Sequence, residues 1–229
     1  MKLCGNDLPW ESSGKHIGNK IVTDRNIMKQ DVKEKRARYI SKNNEICQEF
    51  YFAHPKTKFQ INQIWNSHFS GSVLWDLFSH EAIQVENTYN NSVRIMASLP
   101  RETHKFYVEP ITGTPHLKKV LCKRFLSFIE SVKTSKKIAL RNIFKLVKND
   151  CRSVTGRNLL NIMILVNKTS IESLVPGDAL DIKYHEIEEQ QAWKIGVVKE
   201  LTDVKFGEAF VEGFSRKELD AILNYVCVS

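Results

Sequence analysis

The apolar positions of this chain recur mostly at helical spacing. Met28, Val32, Tyr39, Ile46 and Phe50 fall within one narrow arc at about 3.6 residues per turn. They predict a long helix from Asp24, ended by His54-Pro55, because the residue before a proline is pushed out of helical geometry. A shorter helix follows from Lys56 to Ser67, with Phe59, Ile64 and Trp65 apolar. Phe69 to Phe78 is apolar but broken by glycine and serine, and reads as a loop. Ser79 caps a helix carrying Ile83, Tyr89, Val93 and Met96, closed by Pro100. Residues 101–114 read as irregular or extended. Thr114-Pro115 then supplies a cap and a first-turn proline for a helix to about Thr134, with Leu117, Leu121, Phe125, Phe128 and Val132 along one stripe. Ser135 caps the next helix, to about Asn149, and Thr155 to Val166 makes another, strongly apolar one.

The two ends differ. Residues 1–22, with Gly5, Pro9, Gly14 and Gly18, read as a loop with room for a strand edge. After Pro176-Gly177, Glu188 to Leu201 reads as helix and Phe206 to Phe214 as a short hairpin. Ser215-x-x-Glu218 is a capping box opening a last helix with Leu219, Ile222, Leu223 and Val226. The expected fold is mostly α: a helical bundle over 23–100, a basic helical region over 101–168, and a small acidic α(+β) subdomain over 169–229, with 1–22 as a leading linker.

Composition fits a folded chain. Hydrophobic residues at 42% and charged residues at 26% exclude global disorder, and 229 residues can build one or two cores. The charge distribution is more telling. The net charge is +8, yet residues 101–168 hold 15 Lys and Arg against 4 Asp and Glu, and residues 169–229 hold 6 against 12. A polyanionic partner suits the first block. The opposed tail suggests intramolecular contact between the acidic tail and the basic helices.

Geometry sharpens this. At about 100° per residue, Lys137, Arg141, Lys145 and Lys148 share an arc of about 80°, while Leu140, Ile143, Phe144 and Val147 form the neighbouring face. No carboxylate relieves the row, although like charges four apart disfavour an isolated helix. A nucleic-acid backbone explains that omission, and a merely solvated face is the competing reading. Lys118, Lys119, Lys123 and Arg124 lie outside the apolar stripe of the preceding helix, so two consecutive helices offer cations. The cluster Lys33, Lys35, Arg36, Arg38 and Lys42 spreads around its helix and mixes with Asp31 and Glu34. A solvated helix explains it as well as contact with an acid does.

Catalytic signatures are missing. The chain has no Asp-Asp pair for a two-metal centre, no GxxxxGK[ST], no HExxH and no GxSxG. Seven histidines are far apart; His68 and His80 flank the loop around Gly71 without a carboxylate or cysteine at metal-ligand spacing. Cys4, Cys47, Cys122, Cys151 and Cys227 are odd in number and scattered, as expected of free thiols in a reducing compartment. No signal peptide or membrane span is readable, so Asn90-Asn91-Ser92 and Asn167-Lys168-Thr169 are read as chance glycosylation triplets. Trp10, Trp65, Trp75 and Trp193 read as core or interface anchors rather than base-stacking platforms. Expected are no metal, no cofactor and no membrane, and a nuclear or cytoplasmic rather than secreted location.

A series of blocks carries a family resemblance. They are Lys2-Leu3-Cys4-Gly5-Asn6, Leu8-Pro9-Trp10 and Lys15-His16-Ile17-Gly18-Asn19-Lys20, then Lys35-Arg36-Ala37-Arg38-Tyr39-Ile40 through Asn43-Asn44-Glu45. Further along come Lys58 to Ile64, Ser67-His68-Phe69-Ser70-Gly71-Ser72 and Leu74-Trp75-Asp76-Leu77-Phe78. Leu99 to His104, Glu109-Pro110, Arg124 to Phe128, Ser153-Val154-Thr155-Gly156-Arg157-Asn158-Leu159 and Leu223 to Ser229 complete the series. In this order the chain resembles the part of a LINE-type, non-LTR retrotransposon reverse transcriptase that follows the palm, over nearly its whole length. Cys4 departs from the larger apolar residue expected there.

The resemblance implies that 1–22 ends the palm, that 23–100 is thumb-like, and that the thumb and later segments grip primer–template or element RNA. Lys35, Arg36 and Arg38 inherit that role by position, alongside Lys118, Lys119, Lys123, Arg124, Lys137, Arg141, Lys145 and Lys148. It also implies that the endonuclease, fingers and palm, with the catalytic aspartates, would precede Met1, so that this chain would not polymerise DNA alone. The expected partner is RNA or DNA, bound through phosphates. Two readings compete: a helical protein-interaction module, whose acidic tail docks on the basic block and inhibits it, and a silent retroelement remnant with Trp10, Phe52 and Trp65 left exposed.

Overall fold

The computed structural model describes residues 2–3, 6–7, 13–16, 19–22, 27–65, 69–101, 103 and 105–182. The chain is mostly helical. The expected elements after residue 182, namely the Glu188 to Leu201 helix, the Phe206 to Phe214 hairpin and the helix opened by Ser215, lie outside the described residues.

The leading segment, expected as a loop with room for a strand edge, contains two antiparallel strand pairs. β1 (Lys2–Leu3) pairs with β2 (Asn6–Asp7), and β3 (Ser13–His16) pairs with β4 (Asn19–Val22) in the register Ser13 to Val22 and His16 to Asn19. Strands of two to four residues carry too little alternation to stand out from turn-rich sequence.

α1 (Ile27–Glu49) follows. Val32, Tyr39 and Ile46, seven residues apart, are buried along one stripe, as their spacing predicts. Pro55 opens α2 (Pro55–Trp65): the His54 carbonyl accepts from the Thr57 and Lys58 amides, and proline at the first helical position forfeits no helical bond. Phe52, in the turn before it, is exposed. Ser79 caps α3 (His80–Met96), its Oγ accepting from the Ala82 amide. Val85, Tyr89, Val93 and Met96 are buried beneath α1, whereas Ile83 is exposed.

Residues 101–114 are a correction. They contain α4 (Lys105–Thr112), which ends at Gly113 with φ +64°. Its sequence, with two aromatics, a valine and Pro110, is a poor intrinsic helix former. Burial of Tyr107 and Val108 in the core, and contact with α3, hold it. α5 (Leu117–Lys133) therefore starts two residues later than Thr114-Pro115 suggests, with His116 at the cap and no side-chain cap bond. The Thr114 amide instead donates to Thr112 Oγ1.

α6 (Ile138–Val147) likewise opens at Lys137 rather than Ser135, whose Oγ accepts from the Lys137 amide. α7 (Val154–Leu165) is capped by Ser153, whose Oγ accepts from the Gly156 amide at 2.9 Å. A Cβ at Gly156 would collide with the Asp150 carbonyl and stand 2.8 Å from that of Val147, so only glycine allows this close approach. Short 3-10 turns at 171–173 and 176–181 follow, and the second packs along α5.

One buried cluster runs from Val32 to Ile182, across the charge boundaries after residues 100 and 168. The Phe69–Phe78 segment is its hub. Trp75 stacks edge-on against Phe69 and donates from Nε1 to Asp31 of α1 at 2.9 Å. Asn158 of α7 donates to the Trp75 carbonyl at 2.7 Å and accepts from the Leu77 amide at 3.0 Å.

Candidate nucleic-acid interface

Three of the candidate cations belong to α1, and the structure separates them. Lys35 follows Val32 and precedes Tyr39 on the buried stripe, so it is only 4% exposed. Its ammonium pairs with Asp31 at 3.3 Å, donates to the Ser70 carbonyl and lies 5.7 Å from the Trp75 ring centre. Arg36 is half-buried and clasps α3, donating to Thr88 Oγ1 at 2.7 Å and to Gln84 Oε1 at 3.1 Å. Arg38 alone of the three is exposed. Lys35 and Arg36 are thus fold elements rather than open phosphate contacts.

On α5 the same correction applies to Lys118. The helix buries two neighbouring stripes, and Lys118, Cys122, Phe125 and Ile129 form the second at the spacing i, i+4, i+7, i+11. Its ammonium donates to the Leu77 carbonyl at 2.5 Å and lies 4.3 Å from the Phe78 ring centre. Burial pulls its pKa down, with Glu86 the first opposing influence. Phe128, expected on the packed stripe, is exposed, and Val132 is half-buried. Lys119 pairs with Glu109 at 3.0 Å, and His116 Nε2 stands 3.6 Å from the same carboxylate. Lys123 and Arg124 are exposed and have no ion pair among the described residues.

α6 carries the remaining four. Lys137, Arg141 and Lys145 are exposed and make no ion pair among the described residues. Lys148 is not open: it pairs with Glu172 at the start of the acidic tail, and this contact lowers the Glu172 pKa to about 2. Lys168 is likewise bonded to Asp178 at 2.8 Å. The expected packed face of Leu140, Ile143, Phe144 and Val147 is corrected too. Only Phe144 is buried, with the Lys133 ammonium 5.9 Å from its ring centre; Val147 is half-buried. Ile138, Leu140, Ile143 and Leu146 are exposed, Leu146 at 77%. The ten-residue helix has its main helical contact at α5, so one edge of its stripe has a neighbour and the rest faces outward.

Lys119, Lys123 and Arg124 border a cleft of about 720 Å³ between α5, the turn at Gly71–Val73 and Leu180. Its floor is largely apolar, from Phe69, Val73, Pro115 and Val120. An apolar floor with cations at its margin can hold a flat, uncharged moiety while an attached anion meets the lysine and arginine. The Cys122 thiol, on the buried stripe of α5 outside the cleft lining, is held up at about 12 by burial and is no nucleophile at neutral pH.

A second recess was not legible in the sequence. Asn90, Asn91 and Arg94 of α3 meet Arg101, Thr103 and Lys105 around about 470 Å³. No spacing rule links residues on one helix to the connection that follows it, and each reads separately as a solvated position.

Among the described residues no three His, Cys, Asp or Glu converge on a metal position, and no helix is long and apolar enough to cross a membrane. The chain matches no protein-family model, no curated protein and no solved structure.

Proposed function

We propose that this chain is a nucleic-acid-binding helical segment of a LINE-type reverse transcriptase, gripping RNA or DNA through phosphates and contributing no catalytic group of its own. The observation that carries the binding is the set of exposed cations on two consecutive helices, Lys123 and Arg124 on α5 and Lys137, Arg141 and Lys145 around α6, without a counter-charge among the described residues. The sequence resemblance supplies the origin. Lys35 and Lys118 leave the proposed contact set, because their ammonium groups are already bonded inside the fold.

Fluorescence anisotropy of the full chain with a duplex and with a single strand tests the reading. Neutralising about one phosphate per named cation gives a slope of log K against log salt of about −4 to −5 on duplex. Arg141→Glu with Lys145→Glu weakens binding to all sequences alike, while Lys118→Met leaves it unchanged. Binding indifferent to salt, or unaffected by the α6 double variant, overturns the proposal.

The exposed apolar residues Ile138, Ile143 and Leu146 favour a second reading, a helical protein-interaction module. Leu146→Glu then abolishes partner capture and spares nucleic-acid binding.

A further inference from the structure

The recess between α3 and the start of α4 lies outside the proposed interface, and it holds polar groups that the fold leaves unused. Arg94 is anchored on its inner side: Nε donates to the Thr103 carbonyl at 2.7 Å and Nη1 to Asn91 Oδ1 at 2.8 Å. That fixes the plane of the guanidinium and leaves Nη2 without a bond among the described residues. Burial also lowers the Arg94 pKa, the mark of a cation short of compensating contact. Arg101 is exposed at the margin, and Lys105 begins α4 beside it.

Two buried side chains line the same space without partners. Asn90 is 2% exposed and Thr103 is 1% exposed, yet Asn90 Oδ1 and Thr103 Oγ1 have no hydrogen bond. Buried polar atoms are nearly always bonded, so two orphans sealed beneath one small recess are hydrogen-bonding groups that the fold itself leaves unsatisfied. The Thr103 hydroxyl is itself out of contact with solvent, and it can donate to an oxyanion once a turn about its Cα–Cβ bond opens it to the recess. The Asn90 amide presents either edge after a half-turn about its last bond, so it meets an anion's oxygen or an adjoining hydroxyl. No carboxylate lines the recess among the described residues.

We propose that this recess is a binding site for a phosphate group. Arg94 and Arg101 supply forked donors and Lys105 a point charge at the margin, and Thr103 and Asn90 add hydrogen bonds once their side chains turn toward the recess. The space exceeds one phosphate, so the phosphate arrives either free, as the anion or a mononucleotide, or as part of a nucleic-acid strand. The site does not depend on the α5–α6 cations, and a chain lacking Arg141 and Lys145 retains it.

The test is titration of the full chain, followed by amide NMR shifts, with inorganic phosphate, a nucleoside 5′-monophosphate, and one short strand with and without a 5′-phosphate. Potassium chloride at matched ionic strength is the control. The expected result is saturable shifts at Asn90, Thr103 and Lys105, weakened roughly tenfold by Arg101→Gln and also reduced by Thr103→Val. Arg101 is a surface residue, so its variant keeps the fold, and Arg141→Glu with Lys145→Glu leaves the shifts in place. Tighter binding of the 5′-phosphorylated strand than of its unphosphorylated twin assigns the site to strand ends; equal response to phosphate and mononucleotide assigns it to the free anion. No saturable response to phosphate, or a response that Arg101→Gln leaves unchanged, overturns the proposal.

Discussion

Asn158 bonds the backbone on both sides of Asp76, donating to the Trp75 carbonyl and accepting from the Leu77 amide. A side-chain amide thereby does for this loop what a neighbouring strand does for an edge, and Arg157 holds the Asp76 carboxylate at 3.0 Å beside it. Asn158 is 0% exposed, so bulk water does not compete for these bonds in the native fold. Asn158→Ala leaves two buried backbone groups without partners and costs roughly 2–4 kcal/mol. For a chain of this size the melting temperature falls by on the order of 5–10 °C. A loss below about 1 kcal/mol in urea denaturation would show that water replaces the amide and that the loop is not held this way.

Gly156 sets a second constraint at the same helix. A methyl group there meets the carbonyls of Asp150 and Val147, which are backbone and cannot rotate away. Gly156→Ala is expected to destabilise by roughly 1–3 kcal/mol. Gly177 is the matched control, since a Cβ there meets nothing within 4 Å. Gly177→Ala is expected to be neutral or to stabilise by about 0.4–1 kcal/mol through the unfolded chain. Equal effects at the two positions, measured by thermal melting, would refute the account.

These contacts explain what the sequence could and could not convey. The blocks Leu74 to Phe78 and Ser153 to Leu159, which carry part of the family resemblance, meet each other through Trp75, Asp76, Asn158 and Arg157. Their residues read as motifs, but the structure uses them for packing and capping. Helix order, the α1 stripe and the Ser79 cap were legible because each rests on local spacing. Lys35 and Lys118 were not, because their acceptors are the carbonyls of Ser70 and Leu77 in a loop 35 and 41 residues away. Periodicity places a lysine beside an apolar stripe; it does not say whether a carbonyl waits there. The short helix α4 escaped for the converse reason, since its stability comes from its neighbours and not from its own residues.

His116 gives a pH dependence with a definite sign. Burial pulls its pKa below the ordinary 6.5, against the opposing pull of Glu109, while Lys119 and Lys105 lower it further. In the unfolded chain the imidazole takes up a proton as pH falls through 6.5, and in the folded chain it resists. Its contribution is therefore complete above that value and is lost as pH falls toward the depressed folded value. The slope it adds is at most about 1.4 kcal/mol per pH unit. His116→Gln should flatten the difference in urea midpoint between pH 7.5 and pH 5 (roughly the span over which histidines titrate). An unchanged difference would remove His116 as the cause.

Glu172 is the counter-ion that turns a row of four cations into a row of three. Its carboxylate is bonded to Lys148 and to Ser170 Oγ, and its pKa of about 2 keeps it charged throughout the range in which nucleic acids are bound. Acid does not release Lys148 under ordinary conditions, but a neutral side chain does. Glu172→Gln leaves Lys148 free to meet a phosphate and removes a nearby repelling charge. The variant is expected to bind duplex more tightly than the parent chain, with a salt slope steeper by about 0.9, the increment for one more phosphate. Glu172 is exposed, so the substitution leaves the buried core intact. Lys148→Gln in the parent should then change little, because that cation is already neutralised, whereas Lys148→Gln in the Glu172→Gln background should return the slope to the parent value. If single Lys148→Gln weakens binding as much as loss of Arg141 does, the tail does not restrain the basic helix, and the ion pair opens freely when a strand arrives.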